Sequence, residues 1–148
     1  MNHAQDITLA SDMRAALSRL LRQLRKQPVP YQVSVTEHTT LALLDLHKQL
    51  LPSELAAMEK VTAQAMSQML NNLEAQGYIK RTPLEDDKRK VQVSLSKEGA
   101  RVLTEMRNIR AEWLAKAMSA LLNADEKKVL KQAAGIIQRL ADYEEHKA

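Results

Sequence analysis

The chain has 148 residues, of which 45% are hydrophobic and 27% are charged, and it contains no cysteine. This length suffices for one domain with a real core, and the lack of cysteine excludes disulfides, thiolate catalysis and sulfur-ligated zinc. No apolar run approaches the roughly 20 residues of a membrane span, and residues 1–12 lack the pattern of a secretory signal. We therefore expect a cytoplasmic protein with no membrane partner.

The charge balance points to a polyanionic partner. The formal net charge is +4 at pH 7, which favours a polyanionic partner, although many basic proteins bind nothing acidic, so the charge alone is a modest indication. Aromatic residues make up 3% of the chain and Phe is absent, so the stacking surfaces of single-strand and RNA binders are not available. Duplex DNA is therefore the expected form of nucleic acid.

Two helices are predicted in the first third of the chain. Apolar residues recur at helical spacing from Ile7 to Lys26, and this helix ends before Pro28, which cannot continue it. Ser34 and Glu37 have the spacing of a capping box and predict a second helix that ends near Lys48.

A short helix, a turn and a longer helix follow. Pro52 suits the first turn of a helix over residues 53–58, because its missing N–H costs nothing there. Thr62 is the expected N-cap of a fourth helix that runs to Gln76, and Gly77 can adopt the left-handed conformation that closes it. This order predicts a helix-turn-helix.

The remaining pattern predicts a hairpin and two more helices. Residues 78–81 and 91–95 have strand character and are joined by a polar segment. Helical spacing returns from Lys97 to Leu122, and Asn123 with Glu126 predicts the start of a last helix. The predicted fold class is mostly α with a small β-hairpin: a winged helix-turn-helix lobe plus N- and C-terminal helices.

The fourth helix has two distinct faces when it is projected at about 100° per residue. Its apolar face carries Met66, Met69, Leu70 and Leu73. Its polar face carries Gln64, Ser67, Gln68 and Asn71. An ordinary solvated face is the plain interpretation, but solvated helices usually expose Lys and Glu. Amides and hydroxyls can instead pair with base edges in the major groove, where Asn and Gln can contact adenine bidentately.

The predicted hairpin tip, residues 84–90, is cationic at its end. A charged turn is ordinary by itself, but a basic loop that follows such a helix can reach the phosphates or the minor groove. The predicted DNA-binding residues are Thr62, Gln64, Ser67, Gln68, Asn71, Lys88, Arg89 and Lys90.

With this order of elements, the sequence resembles the MarR family of bacterial regulators over nearly its whole length. The resemblance is carried by Pro52-Ser53-Glu54-Leu55-Ala56, by residues 73–81, and by Asp87-Lys88-Arg89 followed by residues 93–99. It implies that Arg89 is the wing arginine that enters the minor groove and that Asp87 orients the wing. Gln68 departs from the family pattern, which often has a basic residue here, and is a candidate to read a base instead.

The resemblance also implies a homodimer. Residues 34–96 would form the DNA-binding lobe, and residues 1–33 and 97–148 the helical dimerisation region. The apolar stripes of segments 13–24 and 130–140 exceed what a small lobe needs, which favours pairing between chains over packing within one chain. The expected function is a repressor that binds a pseudo-palindromic operator.

Many members of the family respond to small phenolic or anionic effectors. Tyr31, His38 and Trp113 are candidates to lie near such a cleft, although Trp113 sits on an apolar stripe and fits the core better. No effector-binding residue is assigned from the sequence.

Two other classes of function compete with DNA binding: an enzyme and a protein-binding winged helix. The four histidines, at positions 3, 38, 47 and 146, do not give the spacing of a helical metal pair, and three glycines give no phosphate-binding loop. No catalytic residue, metal site or cofactor is therefore predicted, and the chain is not expected to be an enzyme. A winged helix could also bind another protein, but the basic tip would suit an interface core poorly, since Lys is depleted there.

Overall fold

The computed structural model describes residues 1–144, so His146 and the end of the predicted 97–148 region lie outside the described part. Six helices and two strands occupy this part of the chain, which confirms the predicted fold class. They are α1 (His3–Arg25), α2 (Val35–His47), α3 (Pro52–Glu59), α4 (Ala63–Ala75), β1 (Ile79–Pro83), β2 (Val91–Leu95), α5 (Lys97–Leu121) and α6 (Ala124–Ala141). The described part of the chain forms two compact units that divide after Arg110.

Local capping sets most of the helix starts. The Ser34 side chain accepts a hydrogen bond from the Glu37 amide in a reciprocal capping box, and Asn123 with Glu126 does the same for α6, as predicted. The first helix starts four residues earlier than expected, because Asn2 forms a further capping box with the third residue of the helix.

The end of α4 explains why the first strand starts one residue late. Gly77 has φ of +80°, its amide donates to the Glu74 carbonyl, and the Tyr78 amide donates to the Leu73 carbonyl. These two bonds form a Schellman motif, which occupies Tyr78 and leaves Ile79 as the first strand residue. The strand continues to Pro83, which pairs with Val91 at its far end.

The segment after α2 adds a third, very short strand contact that the sequence did not reveal. Lys48 has φ of 69° and ψ of −50°, and the Gln49 amide donates to the His47 carbonyl at 2.9 Å, which defines a γ-turn of the strained, positive-φ type. Leu50 then exchanges two backbone hydrogen bonds with Val93.

The core of the first unit lies where α2, α3 and α4 meet the hairpin and the first turns of α5. Its fully buried apolar side chains come from all of these elements: Leu41, Leu44, Leu55, Met66, Leu70, Leu73, Val93, Val102, Leu103 and Met106. Burial of this apolar face holds α4 against the lobe and leaves its other face in solvent.

The first turn of α5 is tied to the start of the hairpin. The Ser96 hydroxyl accepts a hydrogen bond from the Gly99 amide and donates to the Gly77 carbonyl. A Cβ atom at position 99 would lie 1.9 Å from the Tyr78 carbonyl oxygen, so only glycine fits this approach.

The terminal helices leave much apolar surface exposed in the single chain. Neither α1 nor α6 has a buried residue. The exposed large side chains on these two helices are Ile7, Leu9, Leu17, Leu20, Leu21, Val129, Leu130, Ile136 and Leu140. Between residues 1 and 144, no helix combines the length and the apolar character needed to cross a membrane.

Candidate nucleic-acid interface

The turn between α3 and α4 fixes where the exposed face of α4 begins. Lys60 adopts the left-handed conformation, with φ of 54° and ψ of 44°, and the Val61 amide donates to the Ala56 carbonyl at 3.0 Å. The Thr62 hydroxyl then caps α4 by accepting from the Ala65 amide at 3.1 Å. Thr62 therefore has a structural role here, in addition to its predicted place among the DNA-binding residues.

The two faces of α4 are arranged as the sequence predicts. Met66, Leu70 and Leu73 are buried and Met69 is half-buried. The four predicted DNA-binding residues of the helix body, Gln64, Ser67, Gln68 and Asn71, are all exposed. These four side chains are three amides and one hydroxyl, none of which carries a charge, and the exposed carboxylate of Glu74 near the end of the helix pairs with Arg81.

The wing tip is organised around Asp87. One carboxylate oxygen of Asp87 accepts from the backbone N–H and from Nε of Arg89, both at 3.1 Å. The Asp87 backbone carbonyl accepts from the Lys90 amide at 3.0 Å. The Arg89 side chain remains 92% exposed while that of Asp87 is 32% exposed, so the acid is anchored and the guanidinium projects into solvent.

A cationic groove runs beside the wing. Arg89 and Lys90 line a cavity of about 400 Å³ together with Arg81 and with residues 51–53 at the start of α3. Lys88 is exposed and does not line this groove. The wing cations and the start of the helix-turn-helix therefore face a common space in the first unit.

Arg81 was not predicted as a site residue. Its side chain extends from β1 to α4, where Nη2 donates to Oδ1 of Asn71 at 2.9 Å and Nε lies 3.5 Å from a carboxylate oxygen of Glu74. The alternation of side chains along β1 is the sequence signal that could have placed Arg81 on the side of the hairpin facing α4. The residues near Arg81 in the sequence do not indicate that its partners are Asn71 and Glu74.

A second group of polar side chains lies away from α4, between α1, α2 and α5. His38 Nε2 lies 3.2 Å from Nη1 of Arg110, and burial together with the positive charges of Arg110, Arg107 and Arg25 lowers the pKa of His38. His38, Arg25 and Arg110 line a cavity of about 190 Å³ with Leu21, Leu24, Val35 and Thr39. Nε of Arg110 is buried without a hydrogen-bond partner among the described residues.

Tyr31 and Trp113 do not line this cavity. The Tyr31 hydroxyl donates to the carboxylate of Glu105, which raises the pKa of Tyr31, and Arg101 lies 6.0 Å from the centre of its ring. Tyr31 thus ties the segment after α1 to α5. Trp113 belongs to the second unit and is half-buried, not part of a closed core.

Comparison with known proteins places the chain in a family. Residues 31–90 match the model of the MarR family. An HTH-type transcriptional regulator of Mycobacterium tuberculosis is 36% identical over 137 residues, covering 93% of this chain and 95% of the relative. A solved structure of a transcriptional regulator from Pseudomonas aeruginosa superposes with a TM-score of 0.82 at 35% identity, covering 97% of this chain and all of the other.

A more distant structure shows the same fold. A mutant of Escherichia coli MarR, complexed with operator DNA, superposes with a TM-score of 0.59 at 22% identity, covering 93% of this chain and 99% of the other. The identity and coverage shared with the Mycobacterium regulator extend over nearly the whole length of both proteins. The chain therefore belongs to the MarR family of transcriptional regulators.

Proposed function

We propose that the protein binds a pseudo-palindromic duplex-DNA operator as a homodimer and represses transcription from it. The observation that carries this proposal is the pairing of an amide-rich exposed face on α4 with an exposed arginine at the wing. The first surface suits base edges in the major groove, and the second suits the backbone or the minor groove. The distant Escherichia coli relative is described in complex with operator DNA, which supports the same use of this fold.

DNA binding and dimerisation belong to different parts of the chain in this proposal. Residues 34–96 are the DNA-binding lobe, and residues 1–33 and 97–148 are the dimerisation region. The exposed apolar side chains of α1 and α6 support this division, because a soluble monomer would gain nothing by leaving such stripes in water. A two-fold dimer presents two copies of α4, so each half-site of the operator is read by the same residues.

The roles of α4 and the wing can be separated by mutation. Arg89→Ala should weaken binding to most sequences and lower the salt dependence by roughly one unit of slope for each phosphate interaction that the substitution removes. Gln68→Ala should instead relax the base preference at one position in each half-site, where a good contact discriminates by about 1–3 kcal/mol, and should leave the salt slope nearly unchanged. Selection of bound sites from a random duplex pool, followed by affinities at several salt concentrations, measures both effects.

The controls are exposed residues of matching chemistry outside the interface. Lys127→Ala removes one positive charge from α6, and Gln76→Ala removes one amide from the end of α4. Neither should alter affinity or preference. If Arg89→Ala changed nothing and Gln68→Ala weakened all sequences equally, a protein-binding role for this winged helix would replace the DNA-binding one.

We further propose that a small phenolic or anionic effector releases the protein from DNA. The cavity beside His38 supports this, because two arginines and a histidine line it, and no carboxylate among the described residues does. An anion there would compensate charges that are costly to bury without a partner.

A further inference from the structure

We propose that Arg81 fixes the direction of the Asn71 side-chain amide, so that Asn71 offers its NH₂ group to a hydrogen-bond acceptor on a base. This inference rests on the proposed DNA-binding function of α4. Arg81 is then a positioning residue on the hairpin, and Asn71 is a specificity-determining residue on the helix.

The contact between the two side chains determines the orientation of the amide. A guanidinium group only donates hydrogen bonds, so the Asn71 atom that lies 2.9 Å from Nη2 of Arg81 must be the carbonyl oxygen. The reverse orientation would place two donors against each other. Bonds from a charged donor are stronger than neutral ones. A carboxylate oxygen of Glu74 lies 3.5 Å from Nε of Arg81, which is an ion pair without a hydrogen bond.

Burial supports the same arrangement. The Arg81 side chain is only 29% exposed, because it lies between β1 and α4, whereas Asn71 belongs to the exposed face of the helix. Within residues 1–144, the Asn71 amide nitrogen makes no hydrogen bond. Asn71 therefore meets solvent with two unused donors, while its carbonyl is engaged by the protein.

This polarity limits what Asn71 can recognise. An unconstrained asparagine can contact adenine bidentately, because it donates to N7 and accepts from the N6 amino group. Because Arg81 holds the oxygen on its own side of the amide, Asn71 presents its NH₂ group to the base, which suits O6 or N7 of guanine, N7 of adenine and O4 of thymine. Cytosine presents only an amino donor in the major groove. The contacted position should therefore exclude cytosine on that strand, once in each half-site.

The decisive variant is Asn71→Asp. It keeps the side-chain shape and the oxygen that faces Arg81, and it replaces the free donors with an acceptor. An acidic side chain accepts from the cytosine amino group, so the preference at this position should reverse, with the relative frequency of cytosine rising about tenfold or more. Asn72→Asp is the matched control, because it introduces the same charge at the neighbouring exposed residue and should leave this position unchanged.

Arg81→Met tests the positioning role separately. Methionine keeps much of the buried volume and removes every donor, so the Asn71 amide becomes free to turn. At the position that Asn71 contacts, cytosine should then be excluded less strongly and adenine should become more frequent. The preference should not reverse toward cytosine, as it should in Asn71→Asp. Both variants are examined by site selection from random duplex DNA, and thermal unfolding shows that each is folded.

The possible outcomes separate this inference from the function on which it rests. If the wild-type protein selects no DNA sequence, the proposed function fails. If it selects an operator motif but Asn71→Asp matches Asn72→Asp at every position, or merely weakens all sequences equally, the inference about Asn71 is overturned and the DNA-binding function stands. A wild-type motif that accepts cytosine at every contacted position would also overturn it.

Discussion

Single residues decide the charge balance of the cavity between α1, α2 and α5. His38, Arg25 and Arg110 face it, while the neighbouring Arg107 is paired outside it with Asp45 at 2.8 Å. Burial lowers the pKa of Arg110 as well as that of His38. Both groups are therefore held where their positive charge is unfavourable, and a bound anion would relieve that cost.

An aromatic carboxylate tests this arrangement. Benzoate should bind more tightly than benzamide, its neutral counterpart, and should lower the affinity for DNA. Arg110→Gln should remove most of this difference, whereas Arg107→Gln is the control because Arg107 already has a carboxylate partner. Calorimetric titration with both compounds measures the effect, and equal binding of benzoate and benzamide to the wild-type protein would contradict it.

The pH dependence of benzoate binding follows from the lowered pKa of His38. Because the pKa of His38 in the folded protein lies below its ordinary value of 6.5, the empty protein holds a neutral His38 at pH 7. A bound carboxylate favours the protonated form, so benzoate binding should take up a proton and become tighter as the pH falls from 7 through the lowered pKa. His38→Gln should remove this pH dependence.

At the scale of elements, the close approach of α5 to the hairpin is the contact least tolerant of change. Gly99→Ala would place a Cβ atom 1.9 Å from the Tyr78 carbonyl oxygen. The first turn of α5 would have to move away from Ser96 and the hairpin. We expect a loss of about 3 kcal/mol in the free energy of unfolding, or roughly a 10 °C drop in Tm.

The neighbouring Ala100→Ser is the control for this prediction. Ala100 is exposed on the same turn, so an added hydroxyl should cost only a few tenths of a kcal/mol through helix propensity. Thermal unfolding of both variants measures the difference. A Gly99→Ala protein as stable as Ala100→Ser would show that the turn can relax without cost.

Local sequence signals predicted most of the helices and strands. The features that were not predicted depend on contacts between residues that are distant in the sequence. Ser34, Pro52, Thr62, Gly77 and Asn123 each act on the adjacent turn of the backbone, so the sequence alone places the boundaries they set. The bridge from Leu50 to Val93 and the contact from Arg81 to Asn71 depend on how separate elements meet. The polar face of α4 was predictable because helical periodicity determines it, but the direction of the Asn71 amide was not.

At the scale of the whole molecule, the exposed stripes on the terminal helices require an explanation. Val129, Ile136 and Leu140 follow one another at helical spacing on α6, and all are exposed by 48% or more in the single chain. We expect a second copy of the chain to cover them, since exposed apolar patches of this kind mark association surfaces. The relatives are regulators, in agreement with the prediction that this chain is not an enzyme.

Ile136→Glu tests the dimer directly. A carboxylate in the middle of the stripe should convert the protein to a monomer at micromolar concentration and lower its affinity for a two-half-site operator. Gln138→Glu changes the charge equally on the other side of α6 and should remain dimeric. Sedimentation velocity distinguishes the two states, and a monomeric wild-type protein with full DNA affinity would refute the proposed assembly.

The bridge between Leu50 and Val93, beside the γ-turn, also covers one edge of the sheet, where a strand from another chain could otherwise add. An uncovered strand offers a row of backbone donors and acceptors to which another chain can add. Leu50 takes both the N–H and the carbonyl of Val93, the central residue of β2. The opposite edge belongs to β1, where Lys80, Arg81 and Pro83 disfavour addition of a further strand. The hairpin can therefore project its wing into solvent with both strand edges unfavourable for the addition of a strand from another chain.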